Sequence, residues 1–193
     1  MGLPSTIKND QKYTYKDYFA FPEDERWELI DGEAYCMTPA PKTLHQEILS
    51  NVHGFLWNFF QGKPCKVFPA PFDVRFPKKP DEPDEETDTV LQPDIVVICD
   101  KSKLDEAGAR GAPDLVIEIL SYSSTSRDFI KKRRVYERAG VKEYWIVVPW
   151  NRAVVIHRLG PSGQFDNVET IDSKTLVSPS FPDLSIPLNK IFP

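Results

Sequence analysis

The segment PDLVIEIL, residues 113–120, carries one carboxylate, Glu118, in the middle of an otherwise apolar run. Branched and aliphatic side chains at this density predict a buried strand. A carboxylate inside such a strand is costly unless it is paired, hydrogen-bonded or bound to a metal. Glu118 therefore constrains the fold, because the chain must bring a partner to the interior of this strand.

A second predicted strand, PDIVVIC over residues 93–99, offers a partner in Asp94. We place the two strands antiparallel, with Ile98 opposite Asp114. In that register Asp94 lies opposite Glu118 with the Cβ atoms ~5 Å apart, close enough for both carboxylates to hold one Mg²⁺ or Mn²⁺ ion. Asp114 would lie ~13 Å from Glu118 along its strand, too far to share that ion.

A cationic side chain is expected at the same place. Several N-cap residues at 123–126 predict a helix that ends near Ala139, with Gly140 as its C-terminal residue. This helix should double back along the preceding strand, and Lys132 lies ~9 Å along it while Glu118 lies ~7 Å from the strand end. Two metal-binding acids and a lysine that stabilises developing charge form a set suited to hydrolysing a phosphodiester.

The remaining patterns predict a mixed α/β fold. An apolar period of 3.6 residues over residues 44–60 predicts an amphipathic helix with one face on the core. An Asp31-Gly32 pair between two apolar runs predicts an N-terminal β-hairpin. Prolines in the last thirty residues favour irregular chain over the surface. We therefore predict one domain over residues 1–193, a central mixed sheet flanked by helices, with a short helix over residues 16–20 and further strands over 72–76, 143–148 and 153–159.

The net charge of −5, from 29 acids and 24 bases, argues against a generic DNA-binding protein, since affinity for polyanions depends on Lys and Arg. However, six acids lie in DEPDEETD, residues 81–88, which we predict to be a solvated loop between two strands. Residues 127–142, in contrast, hold seven bases and two acids. A metal-dependent enzyme could therefore meet DNA through one basic helix.

Several classes of site are disfavoured. No apolar run approaches the ~20 residues of a membrane span, and MGLPSTIKND lacks the apolar core of a signal peptide, which favours a cytoplasmic protein. Three cysteines without CxxC spacing are interpreted as packing residues of a reducing compartment. With three histidines, none in H-E-x-x-H register, a Cys/His zinc site is not indicated. Any metal is expected to be held by carboxylates.

The chain resembles a known family at specific blocks. They are WELIDGE, His45-Gln46 at the start of the long helix, FDVRF, LQPDIVV, PDLVIEILSYSS, RDFIKKRRVY and GVKEYWIV. Together they resemble the prokaryotic Uma-two family of restriction-endonuclease-like proteins, a domain of unknown function in the PD-(D/E)XK nuclease superfamily. The resemblance covers nearly the whole chain. It implies a restriction-endonuclease-like fold, a Mg²⁺-dependent site with Asp94 and Glu118 as the two motif acids, DNA as substrate, and a homodimer.

Two positions depart from the family pattern. Leu120 stands where the strict superfamily motif has its lysine. The resemblance implies that in this family the lysine has moved to the following helix, where it corresponds to Lys132. Val148 stands where the usual family string ends in an Asp-Pro pair. If that acid supports the site, its loss would weaken this copy.

Each further candidate has a structural alternative. Lys132 could form a surface ion pair with Asp128 one turn earlier. Asp73 could line the site or pair with Arg75. The other candidates are His45 as a site residue or a cap, Tyr136 as packing or as a group that orients the lysine, and Arg127 and Lys131 as phosphate contacts or a solvated helix face.

The predicted function is hydrolysis of DNA phosphodiester bonds by a Mg²⁺-dependent endonuclease of PD-(D/E)XK type, with its lysine displaced to the following helix. One alternative is a nuclease-fold binding or regulatory protein with little or no activity. Another is a metal-dependent hydrolase of a substrate other than DNA.

Overall fold

The computed structural model describes residues 11–22, 24–37, 42–121 and 126–193, without the side chains of residues 126–128. Over these residues the helices are α1 (Tyr15–Tyr18), α2 (Thr43–Phe60) and α3 (Ser126–Ala139). The strands are β1 (Trp27–Ile30), β2 (Glu33–Cys36), β3 (Lys66–Pro69), β4 (Val74–Arg75), β5 (Val90–Leu91), β6 (Ile95–Ile98), β7 (Leu104–Asp105), β8 (Gly108–Arg110), β9 (Leu115–Ile119), β10 (Glu143–Val148), β11 (Ala153–Arg158), β12 (Asn167–Ile171), β13 (Thr175–Val177) and β14 (Ser185–Pro187).

In the described part of the chain these strands form two mixed six-stranded sheets and one two-stranded ribbon. The first sheet has the order β2-β1-β5-β4-β8-β7, and the second has the order β12-β11-β10-β9-β6-β3. The predicted mixed α+β class and the N-terminal hairpin, which is β1 with β2, are confirmed. The prediction has one central sheet, whereas the described residues form two. In the first sheet β4 falls within the strand predicted over residues 72–76, but β5, β7 and β8 have only two or three residues each and were not recognised in the sequence.

The predicted register between the two acid-bearing strands is confirmed. Strand β6 pairs antiparallel with β9, and Ile95 lies opposite Ile117 while Val97 lies opposite Leu115. Continued by one residue, this pairing sets Asp94 opposite Glu118. Strand β9 is parallel to β10, and α3 is the connection between them. Parallel neighbours need such a crossover, so α3 must run back along the sheet.

The second sheet is covered on both faces by apolar side chains. Residues at odd positions of β6 and β9, such as Ile95 and Ile117, pack with Ile48, Val52 and Leu56 of α2. Residues at even positions, such as Val96 and Val116, lie on the opposite face. They belong to a cluster with Tyr144 of β10, Tyr136 of α3 and Val74 of the first sheet. Because side chains alternate along a strand, Asp94 and Glu118 belong to the even face, against α3.

The last thirty residues contradict the prediction of irregular chain. Strand β12 pairs with β11, and β13 pairs with β14. Leu176, Ile186 and Ile191 are buried in the cluster around α2. Pro179 and Pro182 lie between β13 and β14, and Pro187 ends β14, so these prolines bound the strands without interrupting them.

The carboxylate of Glu143 anchors this C-terminal ribbon to β10. It is fully buried and accepts hydrogen bonds from Trp145 Nε1 at 2.5 Å, Ser178 Oγ at 3.0 Å and the Ser180 backbone N–H at 2.7 Å. Glu143 is thus a second buried acid on the sheet, and its charge is met by several donors.

The cysteine prediction was wrong for two of the three residues. Cys65 and Cys99 form a disulfide, and Cys36 is free. The cysteines of the bridge flank β3 and β6, where Lys66 lies opposite Ile98, so the next pair outward is Cys65 with Cys99. Spacing along the sequence does not reveal this cross-strand position.

The acidic segment of residues 81–88 joins β4 to β5, as predicted, but it is only partly solvated. Its Asp84 pairs with Arg75, whose side chain is 2% exposed and also contacts Asp105 at 2.5 Å. A buried arginine therefore fastens part of this segment to the first sheet. Within the described ranges, no helix has both the length and the apolar character needed to cross a membrane.

Candidate functional site

Asp94 lies at the start of β6, where its side chain reaches the neighbouring strand and the first turn of α2. Its Oδ2 atom accepts the Ile119 backbone N–H at 2.7 Å and lies 3.2 Å from His45 Nε2. The side chain is 18% exposed. Asp94 is therefore fixed by two partners but still accessible from solvent.

Glu118 lies on β9 with its side chain directed toward α3. Its Oε1 atom accepts the Tyr136 hydroxyl at 2.6 Å and the Lys132 ammonium at 3.0 Å. The side chain is 9% exposed. The partner that the sequence requires for a carboxylate inside this strand is thus supplied by α3.

Lys132 bridges two carboxylates that belong to different sheets. Its Nζ atom lies 3.0 Å from Glu118 Oε1 and 2.9 Å from Glu28 Oε1, and its side chain is 12% exposed. The predicted proximity to Glu118 is confirmed. The alternative of a surface ion pair with Asp128 is not tested, because the side chain of Asp128 lies outside the described residues.

Burial and charge set the protonation of this group. Burial is the largest cause that raises the pKa of Glu118, and the charges of Asp94 and Glu28 add to it; with the opposing effects of Lys132 and Tyr136 included, the pKa is about 7. For Lys132, burial alone would lower the pKa, but Glu118 and Glu28 raise it above its usual value. Lys132 thus stays an ammonium, and Glu118 is the group that can gain a proton near neutral pH.

The two acids leave oxygen atoms for a cation. Contacts from the described residues fall on Oδ2 of Asp94 and Oε1 of Glu118, which leaves Oδ1 and Oε2 without a partner in that part of the chain. No group of three or more His, Cys, Asp or Glu side chains in that part could hold a metal. Mg²⁺ is commonly held by one or two carboxylates and several waters, so the pair fits this ion.

Glu28 is a site residue that sequence reasoning missed. It lies on β1 and is buried, and its Oε1 atom accepts the Gln92 backbone N–H at 2.9 Å in addition to Lys132. A signal was present, since Glu28 interrupts the apolar strand Trp27–Ile30 as Glu118 interrupts β9. Glu28 and Gln92 also lie in the blocks WELIDGE and LQPDIVV.

Asp73 is held by Gln92 and Tyr18 and forms no ion pair with Arg75 within the described residues. Its Oδ1 atom accepts the Gln92 side-chain amide at 2.8 Å and the Tyr18 hydroxyl at 3.2 Å. Burial raises the pKa of Asp73 above its ordinary value. Of the two roles predicted for Asp73, the pairing with Arg75 is wrong, because that guanidinium pairs with other acids, and the role of lining the site stays a prediction.

His45 and Tyr136 both contact a site acid. Lys42 occupies the N-cap of α2, and His45 contacts Asp94 in place of a capping role. Burial disfavours the protonated ring, but the hydrogen bond and charge of Asp94 outweigh it and raise the pKa of His45. Of the two roles predicted for Tyr136, packing is confirmed, since its ring is buried in the core; its hydroxyl donates to Glu118 and not to Lys132.

Ion pairs with the β1–β2 hairpin neutralise much of the predicted basic surface of α3. Lys131 contacts Glu33 at 2.9 Å and also Tyr35, and Arg138 contacts Asp31 at 2.6 Å. Lys131 would have to leave Glu33 to contact a phosphate. The side chain of Arg127, the other predicted phosphate contact, lies outside the described residues.

Comparison with known proteins agrees with this architecture. A family model described as "Uma2: Putative restriction endonuclease" matches residues 14–189. The chain belongs to the Uma2 family. A solved structure similar to this Uma2 chain is a "putative nuclease belonging to DUF820" from Anabaena variabilis, with 22% identity and a TM-score of 0.73 over 93% of this chain and 97% of the other. At this identity the likeness shows the fold. No curated protein matches the Uma2 chain.

Proposed function

We propose that this Uma2 protein is a Mg²⁺-dependent endonuclease that hydrolyses DNA phosphodiester bonds, with the lysine of the PD-(D/E)XK motif displaced to α3. One observation carries the proposal: the register sets Asp94 opposite Glu118, and Lys132 lies 3.0 Å from the second acid. An ion pair between Glu118 and Lys132 would by itself satisfy the buried carboxylate, so it does not explain why a second acid, Asp94, lies opposite Glu118. Two carboxylates that can hold a metal ion and an ammonium beside them are the groups that metal-dependent hydrolysis of a phosphodiester uses.

Each residue has a distinct proposed role. Asp94 and Glu118 would hold the cation through the oxygen atoms that their protein partners leave free. Lys132, kept charged by its two carboxylates, would stabilise negative charge that develops on the phosphate. A Mg²⁺ ion held there would supply Lewis acidity and lower the pKa of a bound water. Tyr136 and the Ile119 backbone N–H would fix the orientation of the two acids.

A cleavage assay with matched variants tests this proposal. Supercoiled plasmid and single-stranded DNA are incubated with purified protein in Mg²⁺, in Mn²⁺ and in EDTA. We expect cleavage that needs metal and that falls about 100-fold or more in Glu118→Ala and Asp94→Ala. Glu169→Gln, which removes an exposed acid from β12, should keep wild-type activity.

The outcomes separate the candidate functions. Absence of metal-dependent cleavage, together with Mn²⁺ binding to Glu118→Ala that equals wild type, would overturn the endonuclease proposal. Mn²⁺ binding that depends on Glu118, without cleavage of either DNA, would favour a hydrolase of another substrate.

A nuclease-fold binding protein without turnover is a second candidate. Val148 at the end of β10 favours it, because it stands where the usual family string has an acid, and loss of an acid that supports the site would weaken turnover without removing the fold. Retention of labelled DNA in a gel without cleavage in Mg²⁺ or Mn²⁺ would support this candidate.

A further inference from the structure

The ammonium of Lys132 lies between Glu118 and Glu28, two buried acids of different sheets. We infer that Glu28 is a positioning residue, which holds Lys132 in place while a divalent cation occupies Glu118. This inference rests on the proposed function, because it concerns the same site when metal is bound.

The contacts of Glu28 suit an anchor. Its side chain is 5% exposed, and its Oε1 atom is fixed by the Gln92 backbone N–H at 2.9 Å. The same oxygen accepts Lys132 at 2.9 Å, as close as the lysine lies to Glu118. Lys132 can therefore give up Glu118 and keep one full ion pair without a change of position.

Charge explains why a second acid is needed. A cation on Glu118 withdraws the negative charge that attracts Lys132 and also repels the ammonium directly. Without Glu28, a buried Lys132 would have Glu118 as its single anionic partner in the described part of the chain and would compete with the metal for that carboxylate. With Glu28 present, the lysine and the metal each have an acid.

Glu28 could instead be a third metal ligand, and the contacts argue against that reading. Its Oε1 atom already has two donors, and Glu28 does not join the other acids in a metal-holding group of three within the described residues. If Glu28 is an anchor, the effect of Glu28→Gln on Mn²⁺ affinity should shrink when Lys132 is replaced. If Glu28 is a metal ligand, that effect should be as large or larger without Lys132. A double-mutant cycle measures the difference.

The experiment measures the dissociation constant of Mn²⁺ by calorimetry for wild type, Glu28→Gln, Lys132→Gln and the double variant. If Glu28 is an anchor, Glu28→Gln weakens Mn²⁺ binding about five-fold or more when Lys132 is present and about two-fold or less when it is replaced. The small weakening of Mn²⁺ binding that remains without Lys132 comes from the loss of the negative charge of Glu28 near the metal. Circular dichroism confirms folding, and Lys132→Met replaces Lys132→Gln if the latter fails to fold.

A matched control lies on the same hairpin. Glu33→Gln removes one acid that pairs with the neighbouring Lys131, and it should change Mn²⁺ affinity equally with and without Lys132. An effect of Glu28→Gln that is as large or larger without Lys132 would overturn the anchor and make Glu28 a ligand, while the proposed function would stand. Absence of Mn²⁺ binding in wild type and in Lys132→Gln would overturn both.

Discussion

Replacing Glu118 by glutamine is expected to stabilise the metal-free protein increasingly as the pH rises. The pKa of Glu118 is raised from 4.5 to about 7 by burial, after the favourable contribution of Lys132 is included. Between these values the unfolded chain releases a proton that the folded chain retains, so stability falls with rising pH. At about 1.4 kcal/mol per pKa unit, the full penalty above pH 7 is about 3 kcal/mol.

Glutamine removes this penalty while keeping the local contacts. Its carbonyl oxygen can accept the Tyr136 hydroxyl and Lys132, as Oε1 of Glu118 does. Urea unfolding of both proteins in EDTA at pH 4.5, 6 and 8 measures the difference in free energy of unfolding. We expect it to change by about 3 kcal/mol in favour of the variant from the lowest to the highest pH, which corresponds to about 6–12 °C in melting temperature.

Glu143→Gln is the matched control, because Glu143 is also buried and lies on the neighbouring strand. Both oxygen atoms of its carboxylate accept hydrogen bonds. In Glu143→Gln the amide NH₂ group would face these donors in place of an acceptor, which should destabilise the protein by about 1–3 kcal/mol. Mn²⁺ should stabilise wild type and not Glu118→Gln. The reasoning is refuted if Glu118→Gln loses stability by the same amount at pH 4.5 and pH 8.

Three further changes have defined outcomes. Tyr136→Phe removes a donor from Glu118 and so raises the pKa of that carboxyl in the folded state; the decline of stability should begin at the same pH as in wild type but continue to a higher pH, measured by the same urea titration. Gly108→Ala should cost more than about 2 kcal/mol by urea unfolding, since Gly108 has a φ of +127° and an added Cβ would overlap the Asp73 carbonyl oxygen. Reducing the disulfide, which spans 34 residues, should lower the free energy of unfolding by about 3–4 kcal/mol, measured with and without dithiothreitol.

The part of the site that could be predicted depends on local rules. Asp94 and Glu118 follow from alternation in two adjacent antiparallel strands, where one assumed pair fixes the register. Lys132 follows from the crossover, since a helix between parallel strands must return along the sheet. The long helix α2 follows from its apolar period.

The parts that were missed depend on contacts between distant elements. Glu28 reaches Lys132 only because the first sheet packs against α3, which no spacing along the chain encodes. The Cys65–Cys99 bridge depends on the register of β3 against β6, and β3 was not recognised as a strand. Lys131 looks solvated on a helical wheel, but the hairpin brings Glu33 to it.

The ion pairs between α3 and the hairpin should affect how strongly DNA binding depends on salt concentration. Each phosphate neutralised by a free Lys or Arg releases condensed counterions, with a logarithmic salt slope of about 0.9 per contact. Lys131 and Arg138 would exchange a carboxylate for a phosphate, and the abandoned Glu33 and Asp31 would then gather cations from solution. Net ion release would be close to zero, so binding of DNA through these residues should depend on salt far less than the number of bases in α3 suggests.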